Sequence, residues 1–292
     1  MIKEQLWSRV SQADSTCFRT DGDGTPMWRD LLASDPISGF VLLDIAELPA
    51  LLDFLEVNQD KLCSGYFSYD LGMALQGLTS RHTRQVPLAI IHAYDHWVEY
   101  HQGQPNYVGF NQPDSVIEEP DMDSSASIEF ISTISEASYE STIARIHEYI
   151  RAGDFYQLNF TQQLLGKTSD PISYASILKK HPAAYAMAMD CDELKITSLS
   201  PELFLHHADG ILTTEPIKGT RPRGATQQED DAHRQELMSS EKEQAELFMI
   251  TDLLRNDLGK VSEIGSIALE AVKDMRKLPK VWHTYSRISG RL

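Results

Sequence analysis

Cysteine is scarce in this chain: Cys17, Cys63 and Cys191 are its three, and none lies near another. An odd, scattered set builds neither a disulfide framework nor a CxxC pair, so a reducing cytoplasm is the expected compartment. Positive charge is scarce too. Lys and Arg total 26 against 43 Asp and Glu, a net charge of −17. That balance argues against a nucleic-acid partner, because phosphates select basic surface. No apolar run is long enough to cross a bilayer, so no membrane span is expected. The first residues, MIKEQLWSRVSQADS, lack the apolar segment and small-residue cleavage site of a secretion signal. Internal repeats, low-complexity tracts and the G-x-x-x-x-G-K-[ST] order of a phosphate-cradling loop are also missing. What is present is a chain of 292 residues, 41% hydrophobic and 24% charged. That is the composition of a soluble globular protein with a sizeable core, in one large domain or two smaller ones.

Residues 109–130, GFNQPDSVIEEPDMDSSASIEF, are polar and acidic and carry no regular period. They read as a linker or long surface loop. The expected division is a region 1–120, a linker 121–137 and a catalytic region 138–292. Before the linker come β-like runs at 40–45, 65–72 and 87–100. After it, SYESTIARIHEYIRAGD places Tyr139, Ile143, Ile146 and Ile150 on one helical face, with Ser138 as N-cap and Gly153 as stop. FYQLNFTQQLL alternates like a strand, and KITSLS, ELFLHH and ILTTEPI read as short strands with a turn at 208–210. Ser240 and Glu243 have capping-box spacing ahead of a helix that runs to Gly259. On that helix Glu246, Ile250, Leu253 and Asp257 share a face, which is expected to approach buried surface. IALEAV and VWHTYSRISG close the chain as strands. Strands joined by short turns, with helices grouped between them, predict an α+β fold with antiparallel sheets.

Three cations stand out within EPIKGTRPRG, residues 215–224: Lys218, Arg221 and Arg223. They imply an anion to hold or a nucleophile to make. A lysine that attacks carbon needs burial or neighbouring cations to hold it partly neutral, and here Pro216, Ile217 and the two arginines are the candidates to supply both. A solvated basic turn is the plainer reading. Glu202, in SLSPELF, lies sixteen residues before Lys218, and a strand-turn-strand return would bring the two together as acid and nucleophile. Glu246 has the chemistry of a Mg²⁺ ligand, though one carboxylate does not identify a metal site. His92 and His96 on one strand stand roughly 13 Å apart, too far to chelate one ion. His206 and His207 point to opposite faces of theirs. His283 sits in a polar alternating stretch, where a lone histidine is more often structural than reactive.

Taken together, GDFYQLN (153–159), SLSPELF (198–204), EPIKGTRPRG (215–224), AELFMITDLLRNDLGKV (245–261) and HTYSRISG (283–290) resemble the chorismate-utilising enzymes. The five blocks stand in the family's order, and GYFSYDLG resembles the N-terminal region of its amine-forming members. The lysine of PIKGT is similar to component I of aminodeoxychorismate synthase, whereas anthranilate synthases usually carry a small residue there. The resemblance implies an antiparallel β-sandwich core with helices outside. It implies amination of chorismate at C4 with ammonia from a glutamine amidotransferase subunit, a step towards 4-aminobenzoate and folate. No Cys-His-Glu glutaminase pattern is evident in this chain itself.

The roles that the resemblance implies are specific. Lys218 is the nucleophile that adds at C2, and Glu202 is the acid or base on the C4 hydroxyl. Gly219 and Thr220 contact substrate, His283 is the active-site histidine, and Glu246 is a ligand of Mg²⁺. The family's later motifs, a GAPK-like segment, an E…RG.Y.G block and a GGGIV-like stretch, are not in these residues. The implied catalytic domain is therefore truncated at its C-terminus. The alternatives are an anthranilate synthase-like component I and a catalytically incomplete fragment that acts only in binding.

Overall fold

Among the described residues strands dominate, and every pairing between them is antiparallel. The computed structural model describes residues 16–19, 30–80, 86–101, 104–109, 128–168, 177, 183, 185–191 and 194–292. Its strands are β1 (Thr16–Arg19), β2 (Asp30–Ala33), β3 (Ser38–Leu42), β4 (Leu62–Phe67), β5 (Ala89–Tyr94), β6 (Trp97–His101), β7 (Gln104–Val108), β8 (Glu129–Ser132), β9 (Leu164–Lys167), β10 (Tyr185–Cys191), β11 (Leu194–Ser200), β12 (Leu203–Ala208), β13 (Ile211–Glu215), β14 (Ile217–Pro222), β15 (Ala268–Lys277) and β16 (Val281–Arg291). The helices are α1 (Leu48–Val57), α2 (Tyr69–Leu75), α3 (Glu136–Ala152), α4 (Gln227–Ser239) and α5 (Glu241–Gly259). None is long and apolar enough to cross a membrane.

The strands form a six-stranded sheet, β11-β10-β1-β2-β6-β7, and a five-stranded one built on β16. A three-stranded sheet, β3-β5-β4, and the pair β8-β9 complete the set. β5 explains how the first and third pack. Its AIIHAY run is buried at every position, because alternate side chains enter two different layers. Ile91 and Ala89 join Leu42, Leu51, Leu71 and Leu88 under α1 and α2, whereas Ile90 packs on Met189 and Cys191 of β10. Gly65 on β4 lets the neighbouring strand lie close, since a Cβ there would stand 1.9 Å from the Ile90 carbonyl oxygen.

β16 is the spine of the five-stranded sheet. β14 pairs with its first half and β13 with its last residues, while β15 runs along its other edge. Its sequence is polar, yet Thr284 and Ser286 are completely buried. Their hydroxyls are satisfied within the sheet: Thr284 donates to the Lys218 carbonyl and Ser286 to that of Val272. Thr251 of α5 adds a bond to Ser286, 2.9 Å long.

Several local expectations need correction. α3 begins at Glu136 with Ser135, not Ser138, as its cap, although Gly153 ends it in the left-handed conformation. GYFSYDLG is strand only through Phe67; Ser68 then caps α2 by accepting from the Leu71 N–H. FYQLNFTQQLL is irregular until Leu164, for no described strand pairs with residues 155–163. Alternation alone does not make a strand without a partner for its backbone groups. Ser240 does cap α5, but that helix buries Leu247, Thr251 and Leu258, while Leu253 is 54% exposed. Of the 109–130 stretch, 110–127 lies outside the described residues, and 129–132 is β8.

Candidate active site

The turn after β11 brings Glu202 back against β14. Ser200 Oγ accepts from the Glu202 N–H at 3.2 Å and donates to its carbonyl at 3.0 Å. The Glu202 carboxylate then accepts the Ile217 N–H at 2.8 Å, one residue before Lys218. The strand-turn-strand return expected from the sequence is therefore present. Lys218 Nζ donates to the Ile217 carbonyl at 3.2 Å.

Both side chains line a cavity of about 860 Å³ between β11–β14, α5 and the irregular stretch after α3. Four of the five sequence blocks meet there. They contribute Gln157 and Asn159, Glu202 and Phe204, Lys218, and Met249, Asp252 and Asn256. Gln157, Asn159, Asp252 and Asn256 escaped the sequence reading. The only signal for them was membership of the blocks. Gln157 Oε1 is buried without a hydrogen-bond partner, so it offers an acceptor to a bound donor.

The other named residues stand just outside the lining. Gly219 has φ +86° and forms a bulge between the Lys218–Thr284 and Thr220–His283 pairs. Thr220 Oγ1 and His283 Nδ1 are 2.9 Å apart. Burial holds the His283 imidazole below its ordinary pKa, and the Arg276 cation adds to that, while a bond to the Gly219 backbone and the Glu202 charge oppose it. Glu246 is half-buried on α5, with Lys242 Nζ at 3.8 Å. Among the described residues no three His, Cys, Asp or Glu side chains come together. Glu246 has the hard oxygen donor that Mg²⁺ prefers, and a lone carboxylate suits that ion when ligand and water oxygens complete its shell.

The two arginines of the cationic turn are engaged elsewhere. Arg221 bonds Glu236 at 2.9 Å and Glu243 at 3.3 Å. Arg223 grips Asp230 through two 2.6 Å bonds, and stacks over Trp282. That guanidinium holds the Asp230 carboxyl well below the usual carboxylate range, helped by the Gly224 N–H and the Trp282 indole. Neither arginine leaves an uncompensated charge beside Lys218. They brace the turn against α4 and α5. His92 sits edge-on to Tyr94 within β5, and His96 pairs with Asp95.

Comparison with known proteins fits this geometry. Anthranilate synthase component 1 of Haloarcula marismortui is 36% identical over 183 residues, 62% of this chain and 37% of that protein. Aminodeoxychorismate synthase component 1 of Bacillus subtilis is 34% identical over 165 residues, 56% of this chain and 35% of that one. The chain thus spans little more than a third of the length of these relatives. The crystal structure of anthranilate synthase component I from Streptococcus pneumoniae superposes with a TM-score of 0.76 at 24% identity, covering 94% of this chain and 71% of that one. It shares the fold, the expected α+β arrangement of antiparallel sheets with helices outside. The chorismate binding enzyme family matches residues 35–292, a span that holds every strand of the five-stranded sheet and every residue lining the cavity, and to that family the chain belongs.

Proposed function

We propose that this chain is the chorismate-aminating component of an aminodeoxychorismate synthase. The observation that carries the reading is that Lys218 and Glu202 line one cavity, with the Glu202 carboxylate bonded to the backbone next to Lys218; in this reading the first is the nucleophile and the second the proton donor. The free amine of Lys218 forms a C–N bond at C2 of chorismate. Both conjugated ring double bonds shift by one position, C1=C2 to C1=C6 and C5=C6 to C4=C5, and the C4–O bond breaks as Glu202 supplies the proton that lets water leave. Ammonia then bonds at C4, both double bonds return to their first positions, and the lysine amine departs from C2 as Glu202 recovers a proton from the added nitrogen. Splitting one substitution into two lowers each barrier. Thr220 and Gly219 contact the substrate beside the nucleophile, and His283 orients Thr220. Mg²⁺ held by Glu246 would offset the carboxylate charge of a dianionic substrate. A separate glutamine-hydrolysing subunit supplies ammonia.

Anthranilate synthesis is the second reading, favoured by the name of the Haloarcula relative. The test is chorismate turnover by the 292-residue chain with Mg²⁺ and ammonium, products separated by chromatography, with Lys218→Ala alongside. We expect 4-amino-4-deoxychorismate, lost in Lys218→Ala, and a drop of about 10²–10⁴-fold in Glu202→Gln. Anthranilate as product, or no turnover from folded protein, overturns the proposal.

A further inference from the structure

Behind the cavity lies a buried cluster of charge for which the reaction has no use. The Glu215 carboxylate is completely buried. Its oxygens accept from Arg276 Nη2 at 2.7 Å, from Arg287 Nε at 2.5 Å and from the Tyr185 hydroxyl at 3.1 Å. Those donors come from β15, β16 and β10. A buried carboxylate is expensive to desolvate, so a set this complete needs a reason beyond filling space.

The strand register supplies one. In β16, His283 stands directly opposite Thr220 on one side and Arg276 on the other. Side chains directly opposite in an antiparallel pair share a face, with Cβ atoms about 4.5–5.5 Å apart. Thr220, His283 and Arg276 therefore form a row across three strands, and Glu215 grips the far member of it. The guanidinium is also fixed over the Tyr285 ring, 4.4 Å from its centroid. We infer that Glu215 and Arg276 are positioning residues, which together set the charge state of His283 and so the direction of its hydrogen bond with Thr220.

The coupling is electrostatic. An uncompensated Arg276 beside a buried imidazole opposes its protonation, and Glu215 tempers that opposition without removing it. A neutral His283 can accept the Thr220 hydroxyl at Nδ1, whereas a protonated one can only donate. Other charged groups stand around His283. Glu202 faces it from the turn before β12, and Glu243 of α5, beside Gly219, is committed to Arg221. On the Glu215 side, Asp274 accepts from Tyr285 and Arg287 from β16 completes the pairing. The consequence for chorismate rests on the function proposed above; the charge coupling does not.

The experiment is an NMR titration of the His283 imidazole in the unliganded chain, its resonance assigned by its loss in His283→Gln. Arg276→Gln is expected to move the midpoint to higher pH, and Glu215→Gln to lower pH, each by about one pH unit or more. Arg287→Gln removes a cation from the same carboxylate, but four residues along the strand, roughly 13 Å from His283; it is expected to move the midpoint less than Arg276→Gln does. Shifts of opposite sign support the coupling, for loss of a merely structural contact would not reverse direction with the sign of the deleted charge. If Glu215→Gln does not fold, Arg276→Gln decides alone. An unmoved midpoint there, or equal effects of Arg276→Gln and Arg287→Gln, overturns the inference. Because no substrate is present, these outcomes are independent of which product chorismate yields.

Discussion

At the scale of single residues the site depends on one backbone angle. Lys218 and Thr220 straddle Gly219, whose φ of +86° creates the bulge that separates their pairings with β16. A side chain at 219 meets two obstacles: the angle disfavours any L residue, and its Cβ would stand 2.8 Å from Leu237 Cδ1 and 3.1 Å from Thr284 Oγ1. Gly219→Ala should therefore cost about 1–3 kcal/mol, read as a lower denaturant midpoint with an unchanged slope. Gly259 is the control, because it ends α5 with open space around its Cβ position. Gly259→Ala should be neutral or slightly stabilising, and equal losses at both positions would remove the bulge from the explanation. The pairing of Glu202 with the strand of Lys218 was readable from their spacing. The fate of the arginines was not, since Asp230, Glu236 and Glu243 reach them only once α4 and α5 have folded over the turn.

At the scale of elements, α5 shows why a correct helix was assigned a displaced face. Its sequence places apolar residues on nearly every side: Leu247, Phe248, Met249, Ile250, Leu253, Leu254 and Leu258. The periodic rule then found 246, 250, 253 and 257, one position from the buried row. Thr251 hid that row by being polar, and bonds to the Leu247 carbonyl and to the Ser286 hydroxyl on β16 satisfy it in the core. The strands were legible where turns and β-branched residues bracketed them, as in β11 to β14. They were misread where pattern outran pairing, as in 155–163. Leu247→Ala should cost about 2–5 kcal/mol, whereas Leu253→Ala should stay within about 0.5 kcal/mol. Urea melts of the two variants check this, and a reversed order would restore the face expected from sequence.

At the scale of the whole molecule, the six-stranded sheet takes strands from both sides of the acidic 110–127 stretch. β10 pairs with β1 along one edge and with β11 along the other, and its Met189 is buried against Ile90 of β5. The five-stranded sheet is tied to the same strand through the Tyr185 hydroxyl and Glu215. No composition signal announces such a junction, because its members lie far apart in sequence and each looks ordinary alone. Its consequence is cooperativity: the six-stranded sheet is complete only with strands from both sides of the acidic stretch, and β10 joins it to the three-stranded sheet and to the five-stranded one. Trp97 on β6 and Trp282 on β16 report on the two ends. In proteins retaining one or the other, their fluorescence should trace a single coincident denaturant transition. Met189→Ala, which empties a core position, should shift both traces by the same amount, about 2–5 kcal/mol. Two separated transitions, or a shift confined to Trp97, would mean that the five-stranded sheet and its cavity stand without the first third of the chain, and the dependence of the site on β10 would fall with that result.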